Sequence, residues 1–153
     1  EEFIIRNLEI FAKPPKTGMA APFHQDNFYW NVADERAVNV WLSMDKVNKD
    51  NGGLMYLKGS HKKPIIKHVI SRSKGTSQKI SVNIIKKLKY VKITPILNPG
   101  DCIIHHCNVI HGSNRNITKN KRRAIVLSFK AKSSKYNKDK LNFYLKRLKK
   151  ILN

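Results

Sequence analysis

The stretch from Ala37 to Val47 alternates with a period of two. Val38, Val40, Leu42 and Met44 fall on one face, and Asn39, Trp41 and Ser43 fall on the other. That pattern is a strand, and segments like it recur along the chain. Phe3 to Ala12 is rich in Ile, Leu and Phe and is stopped by Pro14-Pro15. Ala21 to Asp26 is a short extended piece, and Asn51-Gly52-Gly53 is a turn from which Gly53 to Lys58 returns. Tyr90 to Leu97 is a strand closed by Pro99-Gly100-Asp101. Cys102 to His106, Val109 to His111 and Arg122 to Ala131 complete the series. About eight short strands at regular spacing confine the chain to an antiparallel β barrel or jelly roll, because only closed or doubled sheets bury so many faces.

Two segments break the pattern. Residues 62–88 are basic and irregular, with Pro64 and Gly75, and are long for a loop inside a compact domain, so they are expected to form a lid or a short helix. At the end, Leu141, Tyr144, Leu145, Leu148, Ile151 and Leu152 fall at helical spacing among Lys and Arg. The expected architecture is therefore mainly β, with a C-terminal amphipathic helix. The cupin-like double-stranded β-helix, itself a jelly roll, is a member of that class. Residues 1–135 are expected to form the core and 136–153 a basic helix packed on it; a membrane-surface role is the alternative for that helix.

Charge is a weaker guide than it looks. The chain of 153 residues carries a net charge of +21. Residues 1–50 hold six bases against eight acids, so the excess lies wholly in the rest. It is mostly lysine beside abundant isoleucine and asparagine, which an A/T-rich genome produces without selection on charge. No basic run reaches the length of a disordered tail, and no aromatic-interleaved basic motif accompanies it. A non-catalytic binding module for nucleic acid or an anionic surface is the alternative that this charge motivates. There is no apolar run of about 18 residues to span a membrane. Cys102 and Cys107 fit neither a zinc ribbon nor a redox pair, and read as free thiols in a reducing, cytoplasmic compartment.

The chemistry concentrates in His24-Gln25-Asp26. In an extended segment the imidazole and carboxylate share a face and Gln25 turns away. A second imidazole would complete two histidines and one carboxylate on one face of a metal, the set used by non-heme Fe(II) oxygenases. His61, His68, His105, His106 and His111 are the candidates. His111 stands out because it follows an apolar strand and precedes Gly112-Ser113. Eleven residues later Arg122 opens the last strand, sharing a face with Ala124, Val126 and Ser128. A guanidinium among small residues suits a buried carboxylate, while composition alone favours a surface base in a lysine-rich loop.

Taken together these stretches resemble the phytanoyl-CoA dioxygenase family of Fe(II)- and 2-oxoglutarate-dependent oxygenases. The matching residues are Phe11-Ala12-Lys13-Pro14-Pro15, His24 to Trp30, Val40 to Asp45, Asn51-Gly52-Gly53-Leu54, Lys58 to Lys62, Pro99-Gly100-Asp101, His111-Gly112-Ser113 and Arg122-Arg123-Ala124, in family order. The family's Pro-Gly-Ser-His turn reads Lys58-Gly59-Ser60-His61 here. The resemblance implies that His24, Asp26 and His111 bind Fe(II). It implies that Arg122 and Ser113 hold the distal carboxylate of 2-oxoglutarate, and that Trp41 lines the cosubstrate pocket. Arg123 faces the other way and is expected outside. The implied reaction uses O2 to decarboxylate 2-oxoglutarate to succinate and CO2 while hydroxylating a small molecule. Asp26 fills the position that related halogenases vacate for chloride, which favours hydroxylation. Asn27, Tyr29 and Trp30 follow the metal motif and are candidates to touch substrate; the alternative for Tyr29 and Trp30 is that they fill core. Family members carry further residues ahead of this point, so a chain lacking the N-terminal part of the domain is expected. Its partner is then a small molecule, anionic if the lysines rim the pocket, with no specific nucleic acid. Of the remaining histidines, His61 is expected to bond its own turn; His105 and His106 cannot share a face in a strand, and are expected to lie in solvent or core, the alternative being that one of them points toward the site.

Overall fold

The structure is a computed structural model and describes residues 1–73 and 76–152. Ten strands run in the order β1 (Phe3–Lys13), β2 (Ala21–His24), β3 (Ala37–Ser43), β4 (Leu54–Leu57), β5 (His68–Ser73), β6 (Thr76–Ile80), β7 (Lys92–Ile93), β8 (Cys102–His106), β9 (His111–Ser113) and β10 (Arg122–Ala131). Among the described residues three α-helices accompany them, α1 (Asn27–Trp30), α2 (Val82–Lys87) and α3 (Lys138–Leu152), with one 3-10 turn at Ser60–Lys62. One four-stranded sheet has the order β1-β10-β3-β8 and the other β2-β9-β4-β7, with β5-β6 as a separate ribbon. Every pairing is antiparallel. Two facing four-stranded sheets make the expected double-stranded β-helix.

The large sheet is built on β10, which pairs with β1 on one side and β3 on the other. Its period-two pattern buries Arg122, Ala124, Val126 and Ser128 between the sheets. On β3 the buried face is Asn39, Trp41 and Ser43, while Val38, Val40 and Leu42 lie half-buried on the other. The inward face is thus the more polar one, because it lines a cavity and not a dry core. Apolar packing shares that face at one end, where Trp41, Ala124 and Val126 cluster with Val47 and Leu97. Leu57, Ile80, Ile85 and Ile110 form a second cluster, and Trp30, Val32, Ala37 and Cys107 a third.

Several boundaries differ from expectation. The segment 62–88 is no bare loop: it folds into the β5-β6 ribbon and α2, whose Ser81 hydroxyl accepts from the Ile84 amide as an N-cap. Gly75 lies outside the described residues. The strand expected over 90–97 shrinks to β7 and an isolated bridge between Val47 and Leu97, since Pro95 cannot donate to a ladder. β3 ends at Ser43, where Asp45 turns to bind Arg123 through its amide and guanidinium. β2 stops at His24, since the Asp26 carbonyl accepts from the Tyr29 and Trp30 amides and starts α1. α3 lies against α1: the Tyr144 ring stands edge-on to Tyr29 at 5.6 Å. The side chains of Ile151 and Leu152 lie outside the described ones.

Candidate metal centre

His24 on β2 and His111 on β9 are direct cross-strand partners. Their side chains therefore emerge side by side, with ring centroids 4.4 Å apart. Gly112 permits this approach, since a Cβ there would meet the Ala21 carbonyl at 2.8 Å and the Phe23 amide at 3.1 Å. Asp26 reaches the same point by a route the strand alternation did not foresee. It has left β2 and is helical, with φ −59° and ψ −38°, at the N-cap of α1. Its Oδ1 lies 3.6 Å from His24 Nε2 and 3.7 Å from His111 Nε2. One donor atom from each of the three residues falls within 4.8 Å of the others.

The orientation of each donor is fixed from behind. The Nδ1 of His24 sits 2.8 Å from the Pro22 carbonyl and that of His111 3.1 Å from the Val109 carbonyl. A carbonyl only accepts, so each Nδ1 carries the proton and each Nε2 turns a lone pair to the shared point. On Asp26 the outer oxygen, Oδ2, accepts from Asn39 Nδ2 at 2.7 Å and from His105 Nε2 at 3.2 Å. Asn39 is held in turn by Ser128 Oγ at 2.8 Å. With Nε2 donating, His105 Nδ1 accepts from Tyr56 Oη at 3.1 Å. Burial pushes the Tyr56 hydroxyl pKa upward, so it keeps the proton it donates. Oδ1 is thereby left free to face the two imidazoles.

Charge agrees with this division. Burial works against ionisation of Asp26, but the histidines around it outweigh burial and hold its carboxyl well below the usual range. Burial drives His111 down to about 3, so its imidazole is neutral. Burial also disfavours a proton on His24, yet Asp26 outweighs it and raises that pKa. A divalent cation at the shared point takes the place of that proton. Two neutral imidazoles and one carboxylate on one side of a point, each braced by an outer partner, fit an octahedral Fe(II) with open positions.

These residues line a cavity of about 740 Å³ that continues toward β10. There Arg122 is 2% exposed, with its guanidinium 5.3 Å from the Trp41 ring. One of its terminal nitrogens donates to the Gly52 carbonyl at 3.0 Å, and its Nε is buried with no partner. Ser113 is buried and lines the same cavity. Lys13 also enters this end: its Nζ donates to Ser113 Oγ at 2.6 Å and to the Asn114 carbonyl at 2.5 Å. Burial, and then Arg122, lower the Lys13 pKa to about 7. A pocket with a buried orphan guanidinium N–H, a hydroxyl and a second amine suits a carboxylate.

The sequence model of the phytanoyl-CoA dioxygenase family matches residues 5–124. The chain belongs to the phytanoyl-CoA dioxygenase family. It is 31% identical over 132 residues to the peroxisomal phytanoyl-CoA dioxygenase of Rattus norvegicus, covering 81% of this chain and 38% of the rat protein. It is 31% identical over 121 residues to a probable phytanoyl-CoA dioxygenase of Caenorhabditis elegans, covering 74% and 38% respectively. The chain thus spans well under half the length of these relatives. Among solved structures it resembles EctD from S. alaskensis, crystallised with 2-oxoglutarate and 5-hydroxyectoine, at a TM-score of 0.75 and 25% identity over 90% of this chain and 47% of that one. EvdO2 from Micromonospora carbonacea var. aurantiaca, complexed with 2-oxoglutarate, gives a TM-score of 0.66 and 27% identity over 86% and 55%.

Within this family member, the residues singled out from sequence fall as follows. His24, Asp26 and His111 converge; Trp41, Ser113 and Arg122 line the same cavity, as do Tyr29 and Trp30. Asn27 does not line it. Its amide both donates to and accepts from the Val32 backbone, fixing the turn after α1. Arg123 pairs with Asp45 at 2.9 Å away from the cavity. Of the adjacent pair, His105 is the one that is buried and points toward the site, reaching Asp26, while the His106 ring lies 5.7 Å from that of His61. Among the described residues no hydrogen bond ties the His61 ring to its own turn; Ser60 Oγ there accepts from the Ile110 amide. Sequence reasoning missed Asn39, Lys13 and Tyr56. Asn39 carried a signal as a polar residue on the Trp41 face of an apolar strand. Lys13 stood in the Phe11-Ala12-Lys13-Pro14-Pro15 stretch that resembles the family, but its charge could not single it out in a lysine-rich chain.

Proposed function

We propose that this chain is the iron- and cosubstrate-binding part of an Fe(II)- and 2-oxoglutarate-dependent dioxygenase that hydroxylates a small molecule. The observation that carries the reading is the convergence of His24 Nε2, His111 Nε2 and Asp26 Oδ1 in one cavity with the buried Arg122 guanidinium. His24, Asp26 and His111 would hold Fe(II). Arg122, Ser113 and Lys13 would grip the distal carboxylate, with Trp41 as a wall that keeps the chain of the cosubstrate in place. Bound iron with 2-oxoglutarate supplies O2 activation, yielding succinate, CO2 and an oxygen atom for a C–H bond.

The protein's own part is placement. Asn39 and His105 keep Asp26 from rotating its free oxygen away, and the backbone carbonyls behind His24 and His111 fix both tautomers. Tyr29, Trp30 and Tyr144 give the other side of the cavity an aromatic lining against which a substrate would rest. The test is turnover of 2-oxoglutarate. Purified protein given Fe(II), ascorbate and 2-oxoglutarate in air should release succinate above the iron-only background, and His111→Ala should fall to that background. Equal succinate from both proteins would refute the assignment.

A further inference from the structure

Strand β1 carries one irregularity. Its register with β10 runs Ile5 against Phe129 and then Asn7 against Ser128, so Arg6 is an extra residue, a β-bulge. A bulge re-aims a side chain. Arg6 is turned into the cavity that holds the metal-ligand cluster, and so is Asn7 beside it. Its guanidinium carbon lies 4.7 Å from the centre of the Trp30 ring. Its Nε is buried without a hydrogen-bond partner, and Arg6 joins no ion pair among the described residues. Glu9, the acid nearest it on the strand, also lines the cavity, but two registers closer to Lys13, opposite Val126. A cation stacked on an indole keeps its N–H edge free and fixed, which suits a carboxylate or phosphate.

Register places Arg6 relative to the iron site. Asp26 bonds Asn39, which pairs with Ser128, which pairs with Asn7. Lys13 pairs with Arg122 at the other end of β1, roughly 20 Å of strand away. The cavity therefore has cations at two ends and the metal-ligand cluster nearer the Arg6 end. The surface lysines take no part: among the described residues of 62–88, only Thr76 lines it.

We propose that Arg6, stacked on Trp30, is the anchor for an anionic group of the substrate, which is a small molecule carrying a carboxylate or phosphate on an apolar body lying against Tyr29, Trp30 and Tyr144. Naming that ligand the substrate rests on the oxygenase reading; the anion site itself does not.

Two-dimensional NMR of the indole N–H groups tests it, since the chain has two tryptophans, Trp30 and Trp41. The probes are benzoate, phenyl phosphate and the uncharged benzamide. Benzoate or phenyl phosphate should shift the Trp30 signal saturably and leave Trp41 in place, while benzamide should not; which of the two binds tighter separates carboxylate from phosphate. Arg6→Gln should weaken that binding at least about tenfold. Unchanged binding in Arg6→Gln, equal response to benzamide, or anion shifts confined to Trp41 would overturn the proposal. Should Arg6→Gln fail to fold by circular dichroism, Arg6→Lys should bind the anion more weakly but still prefer it to benzamide, and unchanged affinity would overturn the stacking role. A separate titration with 2-oxoglutarate and Zn(II) should move Trp41 in wild type and in Arg6→Gln alike. Its failure in both counts against the oxygenase reading, whereas failure of the aryl anions counts against Arg6.

Discussion

Asp26 has two oxygens with different duties. Oδ2 is taken up by Asn39 and His105, and Oδ1 faces the imidazoles. Removing the Asn39 amide leaves Oδ2 with one donor and frees the carboxylate to rotate. Asn39→Ala is therefore expected to weaken Fe(II) or Co(II) binding by about 10- to 100-fold, measured by titration under nitrogen, without unfolding the sheet. At the other end, Lys13 carries a consequence for protons. Its pKa of about 7 means that most of its molecules are neutral at pH 8. A carboxylate beside Nζ favours the charged form and raises that pKa. Binding of 2-oxoglutarate at pH 8 should then take up a proton, read by calorimetry in buffers of different ionisation enthalpy, and Lys13→Met should abolish the uptake. The same lowered value acts on stability. Between pH 7 and the ordinary lysine value the unfolded chain holds the extra proton, so stability rises with pH through that window, and Lys13→Met should flatten the rise.

At the scale of elements, the site depends on β2 and β9 lying close enough for His24 and His111 to be neighbours. Gly112→Ala would push a methyl into the Ala21 carbonyl and the Phe23 amide. It is expected to cost about 2 kcal/mol in denaturant unfolding and to weaken metal binding as the strands part. What was legible in the sequence follows the same line. Period-two segments such as Ala37–Ser43 and Arg122–Ala131 read directly as strands because alternation there answers to one buried face. His24 and Asp26 were expected to share a point through strand alternation; they do share it, but through the turn into α1. The β5-β6 ribbon was illegible because most of its buried positions are polar, His68, Ser71, Thr76 and Gln78 beside Ile80, so no apolar alternation marks it. His105 could not be told from His106 without the register that pairs His105 with Asn39.

Over the whole molecule, the net charge of +21 and the cavity are separate matters. Among the described residues the Lys and Arg side chains that line the cavity are Arg6 on β1 and Lys13 and Arg122 at the paired ends of β1 and β10, and no other lysine lines it. Among the described residues no helix is long and apolar enough to cross a membrane. The two sheets exist, in effect, to hold one cavity with a three-donor cluster along its wall and a buried guanidinium at one end. The most direct test of that arrangement is anaerobic absorption spectroscopy of the chain titrated with Fe(II) and 2-oxoglutarate. A weak visible charge-transfer band should grow in to one iron per chain, be lost in His111→Ala, and need far more 2-oxoglutarate in Arg122→Gln. Absence of the band in the wild-type chain, or an equal band in His111→Ala, would contradict the assignment of the metal centre.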